Sequence, residues 1–249
     1  MQPLEYPMSG YYYQRGATGV LDPLQAKAIV FDVGQVEAAI VVSDLIGIST
    51  DLCRLVRDRA AKSTGIPAEN LMVTATHCHT GPDYHNELWQ YVQRVDNQGK
   101  APSGYADSLV TRMSRAVERA AARRMPASLE VGAGTEATVA VNRRFVTCDG
   151  SVRTWGNYRD PSVLRAAGPI DSSFDIFVIG RATTREPVAA LSVLSLHLDT
   201  TAGTEFSADS PFQMERAIQS KLGSDFLSVF AAGTCGDINH VNPRSKDRN

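Results

Sequence analysis

Histidine is scarce in this chain, five residues in 249, and two of the five stand only two positions apart, at His77 and His79. Cysteine is scarcer: Cys53, Cys78, Cys148 and Cys235 lie far from one another, with no Cys-x-x-Cys pair. That scatter argues against a disulfide scaffold. No apolar run approaches the ~18 residues that a membrane-spanning helix needs, so no integral membrane segment is expected. Neither sign of charge dominates. With 25 basic and 27 acidic residues interspersed, for a formal net charge of −2, there is no electrostatic footprint for nucleic acid or an anionic membrane surface, and no nucleic-acid partner is expected. Internal repeats and low-complexity tracts are missing as well. The opening stretch from Met1 to Tyr13, with Pro3, Pro7, Gly10 and three tyrosines, has neither the basic stub nor the apolar core of an export signal. What remains is a globular chain, 43% hydrophobic, with ample material for a packed core in one large α/β domain or two small ones.

Strand and helix patterns alternate along it. Two β-rich runs, 26–33 and 36–45, flank Gly34 and predict a hairpin whose second strand ends near Asp44. Thr50 is the expected N-cap of a helix through about Lys62, with Leu52, Leu55 and Val56 on one face. A short apolar strand, 71–75, follows. Helical periodicity returns over 84–95 and 105–124, the latter with Leu109, Met113 and Val117 as its inner stripe. Alternation at Leu129, Val131, Ala137, Val139 and Val141, broken at Gly132 and Gly134, predicts a strand pair, and Asp149-Gly150 a further hairpin turn. After an irregular stretch over 154–173 come strands at 174–181 and 188–197, a helix at 211–222 and a last strand at 226–232. Helices interleaved with strands, some of them paired in hairpins, predict an α/β fold of mixed β-sheet layers with flanking helices, in a single domain.

The chemistry concentrates at Thr76-His77-Cys78-His79-Thr80-Gly81-Pro82, directly after the strand at 71–75. On an extended backbone residues i and i+2 project to the same side, so one metal ion or one substrate can meet both imidazoles. The Gly-Pro pair turns the chain away and leaves a concave mouth beside the rings. The plainer alternative is a pair of packed or surface histidines. Two other strand ends carry polar residues of the same kind, His197 and the loop Asp237-Ile238-Asn239-His240. Sites in α/β sheets gather beyond strand ends, so these distant segments are expected to converge. Asp44 is either a turn partner or a site residue. Cys78 and Cys235 sit in the candidate loops as ligands, nucleophiles or small buried fillers.

Taken in order, Pro7-Met8-Ser9-Gly10-Tyr11, the block from Gly19 through Asp22-Pro23-Leu24 to Ala26, the Thr76 to Pro82 block, Val141-Asn142-Arg143, His197 and Gly236-Asp237 resemble the N-terminal catalytic domain of neutral/alkaline non-lysosomal ceramidases. The likeness covers most of the chain. It implies a zinc-dependent hydrolase of an amide or related acyl bond, acting on a small-molecule or lipid amide. Carried over residue by residue, it makes His77 and His197 zinc ligands and His79 and Arg143 the contacts to the scissile amide and its oxyanion, with Asp237 and Asn239 at the matching catalytic loop.

Two departures stand out. Where the family carries Gly-Asp-Val-Ser-Pro-Asn, this chain has Gly236-Asp237-Ile238-Asn239-His240-Val241-Asn242, so the family's serine is replaced by an asparagine that can donate to an oxyanion but cannot attack. The family's remaining ligands, a glutamate and a tyrosine, come from sequence beyond the matched stretch, so a partial catalytic domain that binds zinc poorly is expected; Asp44, Asp237 and His240 are the local substitutes. Competing readings are a cysteine hydrolase using Cys235 or Cys78 and a non-catalytic relative. A metallo-β-lactamase-like site is disfavoured because Gly81-Pro82 stands where that family places an Asp-His pair.

Overall fold

The computed structural model describes residue 4 and residues 6–84, 103–154 and 160–241. The predicted hairpin is there as β1 (Ala26–Val33) and β2 (Val36–Ser43), in antiparallel register from Ala26↔Ser43 to Val33↔Val36, and Gly34 takes the turn with φ 67°. β3 (Leu71–Ala75) adds to β2 in parallel, giving a first sheet of order β1-β2-β3. A parallel return needs a crossover, and α1 (Thr50–Thr64) supplies it. Its cap is Ser49, one residue before the expected Thr50: the Ser49 hydroxyl accepts the Leu52 N–H at 3.2 Å. Gly65, at φ 80°, closes the helix by donating to the Ala61 carbonyl. α2 (Ser103–Ala122) lies beside α1. Leu109, Met113 and Val117, the predicted stripe, pack with Leu52, Val56 and Ala60 of α1 over Ala28, Ala39, Val41 and Leu71 of the sheet. The helix predicted over 84–95 lies outside the described residues except for Tyr84.

Strand alternation turns the other residues of the hairpin, Ile29, Phe31, Ile40 and Val42, toward a second sheet. That sheet contains β4 (Ala127–Thr135), β8 (Ser173–Arg181), β9 (Pro187–Leu194) and β10 (Leu227–Ala232), in the order β10-β9-β8-β4. β9 and β10 run parallel, the other neighbours antiparallel. The expected break at Gly132 and Gly134 does not occur. β4 passes through both glycines in unbroken register with β8, and the space at Gly132, where an added Cβ would lie 3.3 Å from the Ile176 side chain, is used for packing. Between β4 and β8 a small sheet of β5 (Arg144–Thr147), β6 (Val152–Thr154) and β7 (Val163–Ala166) turns at Gly150, φ 81°, as predicted, and places a strand inside the stretch expected to be irregular.

Phe177, Ile179, Leu191 and Val229 meet Ile29 and Val42 between the sheets, while α3 (Ser210–Leu222) lays Met214 on the opposite side of the second sheet with Leu194 and Phe230. The layers are therefore helices, sheet, sheet, helix. A buried ion pair crosses three of them: Lys27 of β1 reaches Glu215 of α3 at 2.9 Å and donates to the Ser228 carbonyl of β10 at 2.8 Å. Each sheet has one parallel pair, β2 with β3 and β9 with β10, and the carboxyl ends of the two pairs meet: the His79 N–H, beyond β3, donates to the Leu198 carbonyl, beyond β9, at 3.0 Å.

Candidate functional site

The histidine loop is not an extended strand. β3 stops at Ala75, Thr76 N–H donates to the Ser43 carbonyl and Cys78 N–H to that of Leu45, and between them His77 adopts φ 66°. A non-glycine residue in the left-handed region is uncommon and costs of order 1–3 kcal/mol when the surroundings impose it. Here two backbone hydrogen bonds impose it. A left-handed kink, and not the pleat of a strand, sets the rings of His77 and His79 edge to face with centroids 5.0 Å apart.

His197 also stands off its strand. β9 ends at Leu194, and two tight turns, Leu196 N–H to the Leu194 carbonyl and Asp199 N–H to the His197 carbonyl, carry the ring toward the loop. Its centroid lies 4.6 Å from those of both His77 and His79. His197, distant in the sequence, thus joins His77 and His79 in one cluster, the convergence the strand-end reasoning predicted for these segments.

Carbonyl oxygens decide the tautomers. His77 Nδ1 faces the Ile46 carbonyl at 2.8 Å and His197 Nδ1 faces that of Cys235 at 3.0 Å. A carbonyl only accepts, so both Nδ1 atoms carry the proton and both Nε2 atoms present lone pairs. His79 Nε2 is 3.4 Å from His77 Nε2, and Arg143 Nη1 is 3.5 Å from His197 Nε2. Burial pushes the His79 imidazolium down to about 3, with the adjacent rings and the Arg15 and Arg143 guanidiniums adding to it. Burial likewise takes His197 to about 4 and lowers His77. All three rings are neutral at pH 7.

Several supports went unassigned in the sequence. Gly10, at φ 92°, lies so close under His79 that an added Cβ would stand 2.5 Å from its Nδ1. Tyr11 meets the His79 ring edge-on at 5.9 Å, donates to Asp199 Oδ1 at 2.6 Å and has the Arg15 guanidinium 3.8 Å above its own ring. Arg15 in turn donates to the carbonyls of Ser9 and His79. Asp209, the cap of α3, gathers the N–H groups of Thr200 and Thr201 and so fixes the loop after His197. Only the block containing Ser9, Gly10 and Tyr11 carried a signal for any of this, and the signal named no role.

The other predicted residues fall into different places. Asp237 accepts from Asn142 Nδ2 at 2.8 Å through its carboxylate and from the Arg143 N–H at 2.7 Å through its carbonyl, so it anchors the segment that carries Arg143. Asn239 pairs with Val141 in a short antiparallel bridge, and its side-chain oxygen accepts the Val241 N–H. His240 is half-buried, and its charge would bear on His197 and Asp199. Asp44 is buried and accepts from the Gln25 N–H at 2.8 Å and the Thr76 hydroxyl at 3.4 Å, a brace for the histidine loop. Cys78 is wholly buried, its thiol donating to the Ser207 carbonyl; burial pushes it far up, and it is no nucleophile. Cys235 is raised by burial too, but its sulfur shares with His77 and His197 a group of donor atoms all within 4.8 Å of one another. Neutral imidazoles with fixed outer nitrogens and a nearby sulfur suit a zinc ion, which takes nitrogen and sulfur donors.

The fold matches that of solved neutral ceramidases. The crystal structure of neutral ceramidase from Pseudomonas aeruginosa matches with a TM-score of 0.76 at 22% identity, over 99% of this chain and 39% of that one. A ceramidase complexed with C2 matches with a TM-score of 0.74 at 23% identity, over 96% of this chain and 36% of that one. The chain therefore spans less than two fifths of the length of either. No family model and no curated protein sequence matches it. Among the described residues no helix is long and apolar enough to cross a membrane.

Proposed function

We propose that the protein is a zinc-dependent hydrolase of an amide or related acyl bond, acting on a small-molecule or lipid amide. The observation that carries this reading is the convergence of three neutral imidazoles beside a guanidinium, with the Nδ1 atoms of His77 and His197 tied to carbonyls and their Nε2 lone pairs turned toward His79 and Arg143. His77 and His197 would hold the metal. When bound, zinc supplies Lewis-acid polarisation and water of lowered pKa. His79, kept neutral by burial, is suited to hydrogen-bond the scissile amide, to take a proton from the attacking water and to pass that proton to the departing nitrogen. Arg143 stands within 3.5 Å of His197 and would face the negative charge that develops on the carbonyl oxygen. Asn239, whose side-chain oxygen accepts the Val241 N–H, would offer its amide N–H groups to the same oxygen.

The substitution of asparagine for the family's serine supports attack by water and leaves ceramide itself as one substrate among several acyl amides. The test is hydrolysis of a panel of N-acylated amines, short-chain N-acylsphingosine included, by protein reconstituted with zinc. Amine release that a chelator abolishes and zinc restores is the expected result. Release that survives chelation but not a thiol reagent would favour a cysteine hydrolase, and zinc-free protein without turnover a binding domain.

A further inference from the structure

We propose that Cys235 is the third protein ligand of the metal site, giving a donor set of two imidazole nitrogens and one thiolate. This rests on the reading of His77 and His197 as ligands. Among the described residues, the one group of three histidine, cysteine or carboxylate donors close enough to share an ion is His77, His197 and Cys235. Donors held about 2.0–2.3 Å from one zinc at tetrahedral angles stand about 3.3–3.6 Å apart. Atoms already within 4.8 Å of one another close that gap by modest side-chain rotation.

The backbone around Cys235 supports the assignment independently. Its carbonyl accepts His197 Nδ1–H at 3.0 Å and the Ile238 N–H at 3.1 Å, so the residue that orients one ligand through its backbone also brings its sulfur into the same donor group. Gly233 clamps the loop against the segment leading to His197: its N–H donates to the Leu194 carbonyl at 2.9 Å, and a Cβ there would lie 2.6 Å from Ser195 Oγ. Cys235 and His197 are therefore fixed relative to each other. The carboxylates that sequence reasoning offered as substitutes are engaged elsewhere, Asp237 with Asn142 and Asp44 with Gln25 and Thr76. A thiolate in the sphere selects zinc or cobalt over magnesium, calcium or manganese, and a divalent ion displaces the thiol proton on binding.

Two measurements on the full chain decide it, neither of them activity. Wild-type protein with zinc, or stripped by a chelator, is treated with iodoacetamide and the alkylated cysteines are mapped, exposed Cys148 serving as the reference. Zinc at ~100 times its Kd leaves about 1% of sites empty, so Cys235 should react roughly 100-fold more slowly while Cys148 is unaffected. Cobalt(II) in place of zinc should give a thiolate-to-cobalt charge-transfer band in the near ultraviolet that Cys235→Ser and Cys235→Ala both lose. Equal alkylation of Cys235 with and without bound zinc, or bound cobalt without the band, overturns the ligand assignment and leaves the hydrolase reading standing. Protein that takes up no metal overturns both. Should the variants fail to fold, the two wild-type measurements decide alone.

Discussion

Asp44 offers a test of the frame that holds the histidine loop, and one that needs no substrate. Burial raises its carboxyl from 3.8 to about 6, against opposing help from the Gln25 N–H, Lys27 and Thr76. The folded pKa lies above the unfolded one, so between about pH 4 and 6 the native state binds more protons than the unfolded chain and stability falls as pH rises through that window. Above it the full cost remains, roughly 3 kcal/mol for a shift of about two units. Asp44→Asn removes the charge and keeps an acceptor for the Gln25 N–H. Reorienting the new amide against Thr76 gives back roughly 1 kcal/mol, so in metal-free protein at pH 7.5 the variant should be more stable than wild type by about 1–2 kcal/mol, a Tm rise of roughly 2–8 °C for a domain of this size. At pH 4.5 the advantage should vanish. Urea denaturation of both proteins at the two pH values measures it. A variant less stable than wild type at pH 7.5 would mean that Asp44 is needed as a carboxylate, and that the buried-brace reasoning is wrong.

Three further outcomes follow from contacts already described. Gly10→Ala forces a Cβ into the His79 ring at a positive φ and should cost roughly 2–4 kcal/mol; because a displacement near 1 Å can cost about 10²-fold in rate, turnover should fall while zinc content holds, and normal turnover would show that Gly10 does not set the ring. Lys27→Met strands Glu215 among buried groups and should cost roughly 3–5 kcal/mol in chemical denaturation, with Lys27→Met/Glu215→Leu recovering most of it; no recovery in the double variant would mean that the lysine acts through Ser228 instead. Arg143→Lys should lower kcat by about 10²-fold with little change in Tm, since an ammonium cannot reproduce the planar fork, and a near-normal rate would leave Arg143 a structural cation.

The hairpin β1–β2 was legible because alternation and Gly34 agree, and α2 because Leu109, Met113 and Val117 recur at helical spacing. β4 was misread because a glycine weakens a strand without breaking its ladder, and Gly132 and Gly134 keep their pairing with β8. The proximity of His77 and His79 was predicted from an extended backbone, yet the structure reaches it through a left-handed residue, which depends on hydrogen bonds to Ser43 and Leu45 that no local pattern encodes. His197 was placed inside its strand when it lies three residues past the end. The brace of Tyr11, Arg15 and Asp199 was beyond reading, since Tyr11 and Asp199 are 188 positions apart and each alone is an ordinary polar residue. Cys235 was visible only as one of two cysteines in candidate loops; the fold separates it from Cys78 by burying the one and setting the other beside two imidazoles.

Zinc titration of wild type, His77→Ala and His79→Ala, followed calorimetrically and paired with amine release from an N-acyl substrate, tests the histidine cluster most directly. With Cys235 as a third ligand beside His77 and His197, wild type should take one zinc tightly and turn over substrate, in contrast to the poor binding expected from two histidines alone. His77→Ala should lose metal and turnover together, whereas His79→Ala should keep the metal and lose the turnover. Equal loss of zinc in both variants would make His79 a ligand and contradict the division of roles between the two rings, and zinc binding in His77→Ala as tight as in wild type would contradict the metal centre itself.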